Sequence, residues 1–478
     1  MFNKKTYISR RNQLKKDLKS GIVLLPGNSE AAANYASNTY KFRQDSNFLY
    51  FFGINEPDYV GVIDIDNDKD YIFANDLDID DIIWMGNLPS VAEIANTAGV
   101  KLTVPRTPQN HTASAASNKM PSSLPAFLSE AISKRRVIHY TKPYRAETTR
   151  YISQLLNLKY DAVSQYASEE LALAIIKQRS VKSAEEIIEI EKAMHIAYLM
   201  QTTAMHLAST DTLFEHHIAG KVEGITLEHN GNVSFPVICS QDGQTLHNHK
   251  HNNKLKKGRL LLLDCGAELY NNYCSDTTRT MPVGGKFSQK QKEVYQIVLD
   301  ANMKAMKLAK PGILYKDVHI AACEVIAEGL TSLGLMKGNP KEAVAQGAHA
   351  LFMPHGLGHF MGLDVHDMEN LGEKLVGYDS SISRSETFGL SFLRFARKLK
   401  TGYVITDEPG IYFIPQLIAQ WKAEKKFTNF INYKKLEDYL DFGGIRIEDD
   451  ILITDNGCRL LGTPIPKTIA DIEREMAL

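Results

Sequence analysis

The chain has 478 residues, enough for two or three domains that each bury a core of their own. Its 44% hydrophobic and 23% charged content is that of an ordinary globular protein, and a formal net charge of −1 removes any global electrostatic case for nucleic acid or an anionic membrane surface. No run approaches the roughly 20 apolar residues of a membrane span, and Gly21–Pro26 (GIVLLP), which follows the basic start, is too short for the hydrophobic region of a signal peptide.

The first ~100 residues alternate apolar runs with turn residues: GIVLLPG, FLYFFGI and YVGVIDIDNDKDYIFA. The last contains two strand-like stretches about Asn67-Asp68, which predicts a hairpin, and helical stretches between the runs predict an α/β domain over 1–172. Residues 104–125 are rich in Ser, Pro and Asn and read as a mobile loop. A second domain is expected over 173–478. In it, Ser183 with Glu186 and Ser288 with Gln291 form capping boxes before helical periodicities, and Pro311-Gly312 closes the second of these helices. Between them, Leu260–Pro282 predicts paired strands from its Leu-rich run, Asn-Asn turn and Thr-rich return. The five cysteines, Cys239, Cys265, Cys274, Cys323 and Cys458, are odd in number, widely spaced and without CxxC, the pattern of free thiols in a reducing, cytoplasmic setting.

Asp264 ends the apolar strand RLLLLD, where an unpaired carboxylate is costly and needs a cation or several donors. Asp276 follows 12 residues later, and an even separation puts both acids on one face of a hairpin only if the connection is odd in length or bulged. On these two residues alone, a metal and a structural role (Asp276 paired with Arg279, Asp264 capping a turn) are equally good readings. The segment MPHGLGHFMGLDVHD carries His355, His359 and His366. His355 and His359 have the i, i+4 spacing of a helical zinc motif, but Gly356 and Gly358 argue against a helix and no HExxH glutamate is present. The same glycines do not form GxGxxG, which excludes a dinucleotide loop. Glu408 precedes the Pro409-Gly410 turn, and Glu448 follows Arg446 by two residues on the same side of a strand. Two Asp, two Glu and one His at strand ends form a hard, oxygen-rich set that suits Mn²⁺ or a similar first-row ion.

These motifs resemble those of the pita-bread metallopeptidases, specifically aminopeptidase P and prolidase. LLLDCGAE, SDTTRTMPVGGKFS, HGLGHFMGLDVHD, DEPGIYFIP and GGIRIEDDILIT occur in the family's order, and YKFRQDSNFLYFFGINEPD resembles its N-terminal domain. The resemblance implies an α/β N-terminal domain followed by an α+β pita-bread (creatinase/aminopeptidase-like) catalytic domain. It implies two divalent ions per chain, Mn²⁺, held by Asp264, Asp276, His359, Glu408 and Glu448. His247, 17 residues before Asp264, matches the family's substrate-binding histidine, and His355 and His366 match its other active-site histidines. Arg446 matches an arginine that contacts substrate.

The implied activity is hydrolysis of the bond between an N-terminal residue and a penultimate proline (Xaa-Pro aminopeptidase). Its catalytic residues would be Glu408, His366, His355 and His247, with His247, His355 and Arg446 binding substrate. Prolidase, acting on Xaa-Pro dipeptides, is the alternative within the family. A metal-free creatinase-like relative or binding module is the alternative of another class, and it would lack the five ligands. The two aspartates lie one residue further apart than the family's usual spacing. Segments 369–398 and 415–441, with the tail TPIPKTIADIE, exceed the short bacterial pattern and resemble prolidase. By the same resemblance the chain forms a homo-oligomer, a dimer or tetramer, and Trp84 either lines a neighbouring subunit's site or belongs to the core. The only partner implied besides a second copy is a proline-containing peptide.

Overall fold

Residues 2–107 and 121–478 are described by the computed structural model. They divide into two compact units, Met1–Arg179 and Ser180–Leu478. The sequence reading draws its boundary at 172/173; the helix Glu169–Arg179 packs on the helix Lys4–Leu18 and so travels with the first unit. Of the loop expected over 104–125, residues 108–120 lie outside the described residues; its ends are a strand to Val104 and a helix from Leu124.

In the first unit, five strands form one sheet: Ile22–Pro26 (β1), Val60–Asp64 (β2), Lys69–Phe73 (β3), Leu102–Val104 (β4) and Ile138–His139 (β5), in the order β4-β3-β2-β1-β5. The expected hairpin is β2–β3, antiparallel from Val60↔Phe73 to Asp64↔Lys69, with Asp68 at φ 50° in its turn. β3–β4 and β1–β5 are parallel, and helices lie between the strands in sequence, as an α/β domain requires. The apolar run FLYFFGI is a helix, Ser46–Phe52, because Asp45 accepts from Asn47 N and Phe48 N at its start and Gly53 closes it at φ 64°. Ile22, Leu24, Val62, Phe73, Leu124 and Leu128 belong to the core cluster of this unit. Trp84 is 86% exposed, which removes the reading that it is core of this chain.

The second unit opens with the helix Ala184–Ala208 (α1), started by the reciprocal Ser183/Glu186 cap. The Ser288/Gln291 cap starts Gln289–Leu308 (α2), which ends just before Pro311-Gly312 and packs on Tyr315–Ser332 (α3). Three small antiparallel sheets surround the site. Ile238–Ser240 (β6), Leu260–Cys265 (β7) and Thr277–Pro282 (β8) form the first, in the order β8-β7-β6. Val404–Asp407 (β9), Asp449–Ile453 (β12) and Cys458–Leu460 (β13) form the second; Gly410–Tyr412 (β10) pairs with Gly444–Arg446 (β11) to form the third. β11 is tied to β8 by side-chain bonds in both directions: Thr280 Oγ1 donates to the Arg446 carbonyl at 3.1 Å and accepts from Arg446 N at 3.1 Å. No helix among the described residues is long and apolar enough to cross a membrane.

Candidate active site

The β7–β8 register explains how two acids meet. Asp264 pairs with Thr278 and Cys265 with Thr277, which leaves residues 266–276, an odd connection of 11, between the last paired residues. Asp276 therefore lies on the same face as Asp264, two residues along the ladder. Neither acid takes the structural role open to it from sequence. Arg279 bonds Asp449 Oδ1 at 2.7 Å, not Asp276, and Asp264 Oδ2 accepts from Arg446 Nη2 at 2.6 Å. Glu448 is held to β8 at Thr278: its N–H donates to the Thr278 carbonyl at 3.0 Å, and Thr278 Oγ1 donates to its Oε2 at 2.6 Å.

His359 and Glu408 arrive on two chains that run side by side. Thr406 N donates to the His359 carbonyl at 3.0 Å, Glu408 N to the Leu357 carbonyl at 2.9 Å, and Phe360 bridges to Ile405. The glycines of the histidine segment are there for this approach. A Cβ on Gly358 would stand 2.2 Å from the Thr406 carbonyl oxygen, and one on Gly356 2.6 Å from Leu393 Cα. His359 Nδ1 faces the Phe360 carbonyl at 2.9 Å. A carbonyl only accepts, so Nδ1 carries the proton and Nε2 presents a lone pair. That Nε2 lies 3.4 Å from Asp276 Oδ2 and 3.7 Å from Glu408 Oε1.

The resulting electrostatics call for a cation. Asp276, His359 and Glu448 are all buried, and each offers an atom within 4.8 Å of the others, a group able to hold a metal. Burial first, then repulsion from Asp264 and other acids, raises the carboxyl groups of Asp276 and Glu448 well above their ordinary range. Glu408 is raised for the same reasons against the pull of His359 and Arg446. Asp264 Oδ1 and Asp276 Oδ1 are buried with no hydrogen-bond partner. Carboxylates crowded together with orphaned oxygens are what a divalent cation stabilises.

The other histidines line the same cavity, about 540 Å³ in volume, together with Arg446 and the acids. His355 donates from Nδ1 to the Gly356 carbonyl at 2.8 Å, so its Nε2, 2.9 Å from Tyr412 Oη, accepts from that hydroxyl. Burial and the nearby Arg446 push its pKa down to about 3, which keeps it neutral. His366 packs edge-on to His359 with centroids 4.2 Å apart, and its Nδ1 lies 3.3 Å from Glu369 Oε2. His247 also lines the cavity, and its pKa is lowered by burial and by Arg446, with Asp264 opposing. Of its neighbours in sequence, His249 reaches the cavity wall, whereas His251 Nε2 is turned to the Val237 carbonyl at 3.0 Å.

Several residues in the site were not singled out from sequence. Tyr412, four residues after Glu408, accepts from Arg446 Nη1 at 3.0 Å while donating to His355. Thr278 holds Arg446 Nε at 3.0 Å as well as Glu448. Both stand inside the recognised motifs, Thr278 two residues after Asp276 and Tyr412 four after Glu408, and that closeness is the signal that would have found them. Segment 369–398 forms part of the cavity wall through Glu373, Arg384, Phe388, Phe392 and Arg394. Arg394 grips both oxygens of Glu369 at 2.7 and 2.8 Å, and Glu369 in turn meets His366. Burial alone would raise Glu369, but His366 and Arg394 hold it down at about 2. Segment 415–441 supports this wall from outside, with Trp421 edge-on to Phe388 at 5.9 Å.

Residues 188–455 match the model of metallopeptidase family M24, and residues 7–120 match that of the aminopeptidase P N-terminal domain. Human Xaa-Pro dipeptidase is 30% identical over 467 residues, covering 95% of this chain and 88% of that protein. A probable Xaa-Pro aminopeptidase of Aspergillus clavatus is 31% identical over 479 residues, covering 98% and 95%. Among solved structures, Pseudomonas aeruginosa aminopeptidase PepP superposes with a TM-score of 0.78 at 26% identity, covering 100% of this chain and 98% of that one. A zinc-substituted Escherichia coli aminopeptidase P in complex with product gives the same TM-score, identity and coverage. With both domain models matched and relatives aligned along nearly its whole length, this chain belongs to metallopeptidase family M24, a metal-dependent peptidase carrying an aminopeptidase P N-terminal domain.

Proposed function

We propose that this chain is an Xaa-Pro aminopeptidase, releasing the N-terminal residue that precedes proline. Two divalent ions, Mn²⁺, would be held by Asp264, Asp276, His359, Glu408 and Glu448. The observation that carries this reading is the convergence of these side chains, with two buried carboxylate oxygens lacking any partner and one imidazole presenting its free lone pair. The relatives named for Xaa-Pro peptidase activity support the substrate class.

When bound, a pair of such ions makes hydroxide available from water near neutral pH and polarises a carbonyl. The chain's own residues do the rest. Glu408, raised above the ordinary carboxylate range, is suited to accept a proton at its carboxylate and pass it to the departing proline nitrogen. His366, steadied by Glu369, and His247 face the cavity and are placed to hold the substrate's carbonyl oxygen and backbone. Neutral His355, fixed by Gly356 and Tyr412, keeps the Arg446 side of the cavity in one arrangement.

One observation favours a second reading, the dipeptidase. A dipeptide-only enzyme must close the groove beyond proline and meet its carboxylate with positive charge. Arg384 and Arg394, from segment 369–398, line the cavity together with Phe388 and Phe392. The five cysteines are all free, in keeping with a cytoplasmic setting, and a dimer or tetramer is the assembly we assign by family likeness. The test is release of the N-terminal residue from Xaa-Pro peptides by the Mn²⁺-loaded chain, lost on chelation.

A further inference from the structure

Apart from the carboxylate centre, one cluster in the second unit has the composition of a metal site. His319 and Cys323 are four residues apart on α3 and so share a face. His349 comes to the same point from the short turn of helix Ala348–Leu351. Each of the three offers a ligand atom, and these atoms lie within 4.8 Å of one another. All three are buried, His319 at 1%, Cys323 at 0% and His349 at 3% exposure.

Core packing accounts for only part of this. Cys323 Sγ lies 3.6 Å from His319 Nε2, which a thiol–imidazole hydrogen bond would explain. His349 is less well served: neither ring nitrogen makes a hydrogen bond of normal geometry, and the Val344 carbonyl nearby is only a weak acceptor for it. A buried imidazole so poorly partnered is costly, and an apolar side chain would avoid that cost. Burial, with His349 and His355 adding to it, pushes His319 down to about 3; burial dominates over the Val344 carbonyl and brings His349 to about 4. Both rings are therefore neutral and free to ligate near pH 7.

We propose that His319, Cys323 and His349 form a second metal site, separate in chemistry from the carboxylate centre, and that its ion is Cu⁺. The distance fits: bonds of about 2.0 Å to nitrogen and 2.3 Å to sulfur, meeting at about 110–120°, put N and S about 3.5–3.7 Å apart. The charge selects the ion. One thiolate and two neutral imidazoles cancel a single positive charge, whereas Zn²⁺ would leave a net charge in a pocket that excludes water. Glu324, the carboxylate that bears on Cys323, is part-exposed and not one of the donors. Three donors including a soft sulfur suit Cu⁺, and Zn²⁺ wants a fourth. Binding releases the Cys323 thiol proton to solvent, forms one Cu–S and two Cu–N bonds, and changes no oxidation state.

The test uses the full chain with its carboxylate centre first filled with Mn²⁺. It is equilibrated without oxygen against bicinchoninate-buffered Cu⁺, a few degrees below its unfolding temperature so that the buried site opens, and bound copper is counted. One equivalent is expected in the parent chain and in Cys458→Ser, and less than a tenth of an equivalent in His349→Leu and Cys323→Ser. His349→Leu removes a ring whose nitrogens make no hydrogen bond of normal geometry, so it is expected to fold at least as well as the parent. Cu⁺ should raise the unfolding temperature of the parent and leave that of His349→Leu unchanged. Three results would each overturn the proposal: no copper retained, copper retained equally by His349→Leu, or Zn²⁺ displacing Cu⁺ at one equivalent.

Discussion

Arg446 Nη2 lies 2.6 Å from Asp264 Oδ2, and the same guanidinium reaches Thr278 Oγ1 and Tyr412 Oη, each at 3.0 Å. One side chain thus fixes an acid of the carboxylate centre, a strand of the first sheet of the catalytic unit and a residue that steadies His355. Arg446→Ala should raise KM, the result expected for a substrate contact. The pairing adds a second expectation. Removing one partner of a buried pair typically costs about 3–5 kcal/mol, so the metal-free variant should unfold at a markedly lower temperature. Thermal unfolding of metal-free protein reads this directly, and an unchanged midpoint would mean that the Asp264 contact contributes nothing.

Glu408→Gln keeps the shape of the side chain while removing a proton acceptor. Steady-state kinetics on an Xaa-Pro peptide should show kcat lower by at least ~10²-fold. The circular dichroism spectrum should match the parent, since Glu408 is held to the histidine segment through its backbone N–H and not its carboxylate. Parental turnover in this variant would move the base to another residue.

Asp449 sits behind the site, 2.7 Å from Arg279 and 2.6 Å from Lys467. Burial pushes its carboxyl up, but the two cations pull harder and hold it well below its ordinary 3.8. A carboxyl depressed on folding contributes stability that is fully present above its unfolded value and lost as pH falls below it. Asp449→Asn should therefore cost about 3–5 kcal/mol near pH 7, where it leaves Arg279 and Lys467 uncompensated. The gap to the parent should narrow as pH falls below about 4. Urea unfolding at a series of pH values measures it, and a gap independent of pH would assign the effect to packing.

Arg394 distinguishes the two substrate-length readings. If it meets the proline carboxylate, Arg394→Ala should raise KM for Xaa-Pro far more than for Xaa-Pro-Yaa-Zaa. An equal rise for both would assign Arg394 to its Glu369 and His366 contacts instead.

The β7–β8 pair, both capping boxes and the β2–β3 hairpin were legible in the sequence because each is decided by residues close along the chain. Local reading also sufficed to reject a helix at Gly356 and Gly358. It could not supply the reason for those glycines, which lies in Thr406 and Leu393, tens of residues away. Distance in sequence hid the cavity wall in the same way. Segment 369–398 is visible as extra length, but its docking depends on contacts such as Phe388 with Trp421. Tyr412 and Thr278 went unnoticed because an uncharged side chain carries no electrostatic signal of its own. The His319–Cys323 pair was not picked out either, since its third member is 26 residues beyond Cys323 and joined to it only by the fold.

Metal-dependent cleavage at proline can be read in one paired assay. The chain is stripped with chelator, reloaded with Mn²⁺, and offered Xaa-Pro peptides beside matched Xaa-Ala peptides. Stripped enzyme should show no cleavage, cleavage should return as about two ions bind per chain, and the proline substrate should be strongly preferred. Undiminished cleavage after chelation, or equal cleavage of the alanine peptides, would contradict it.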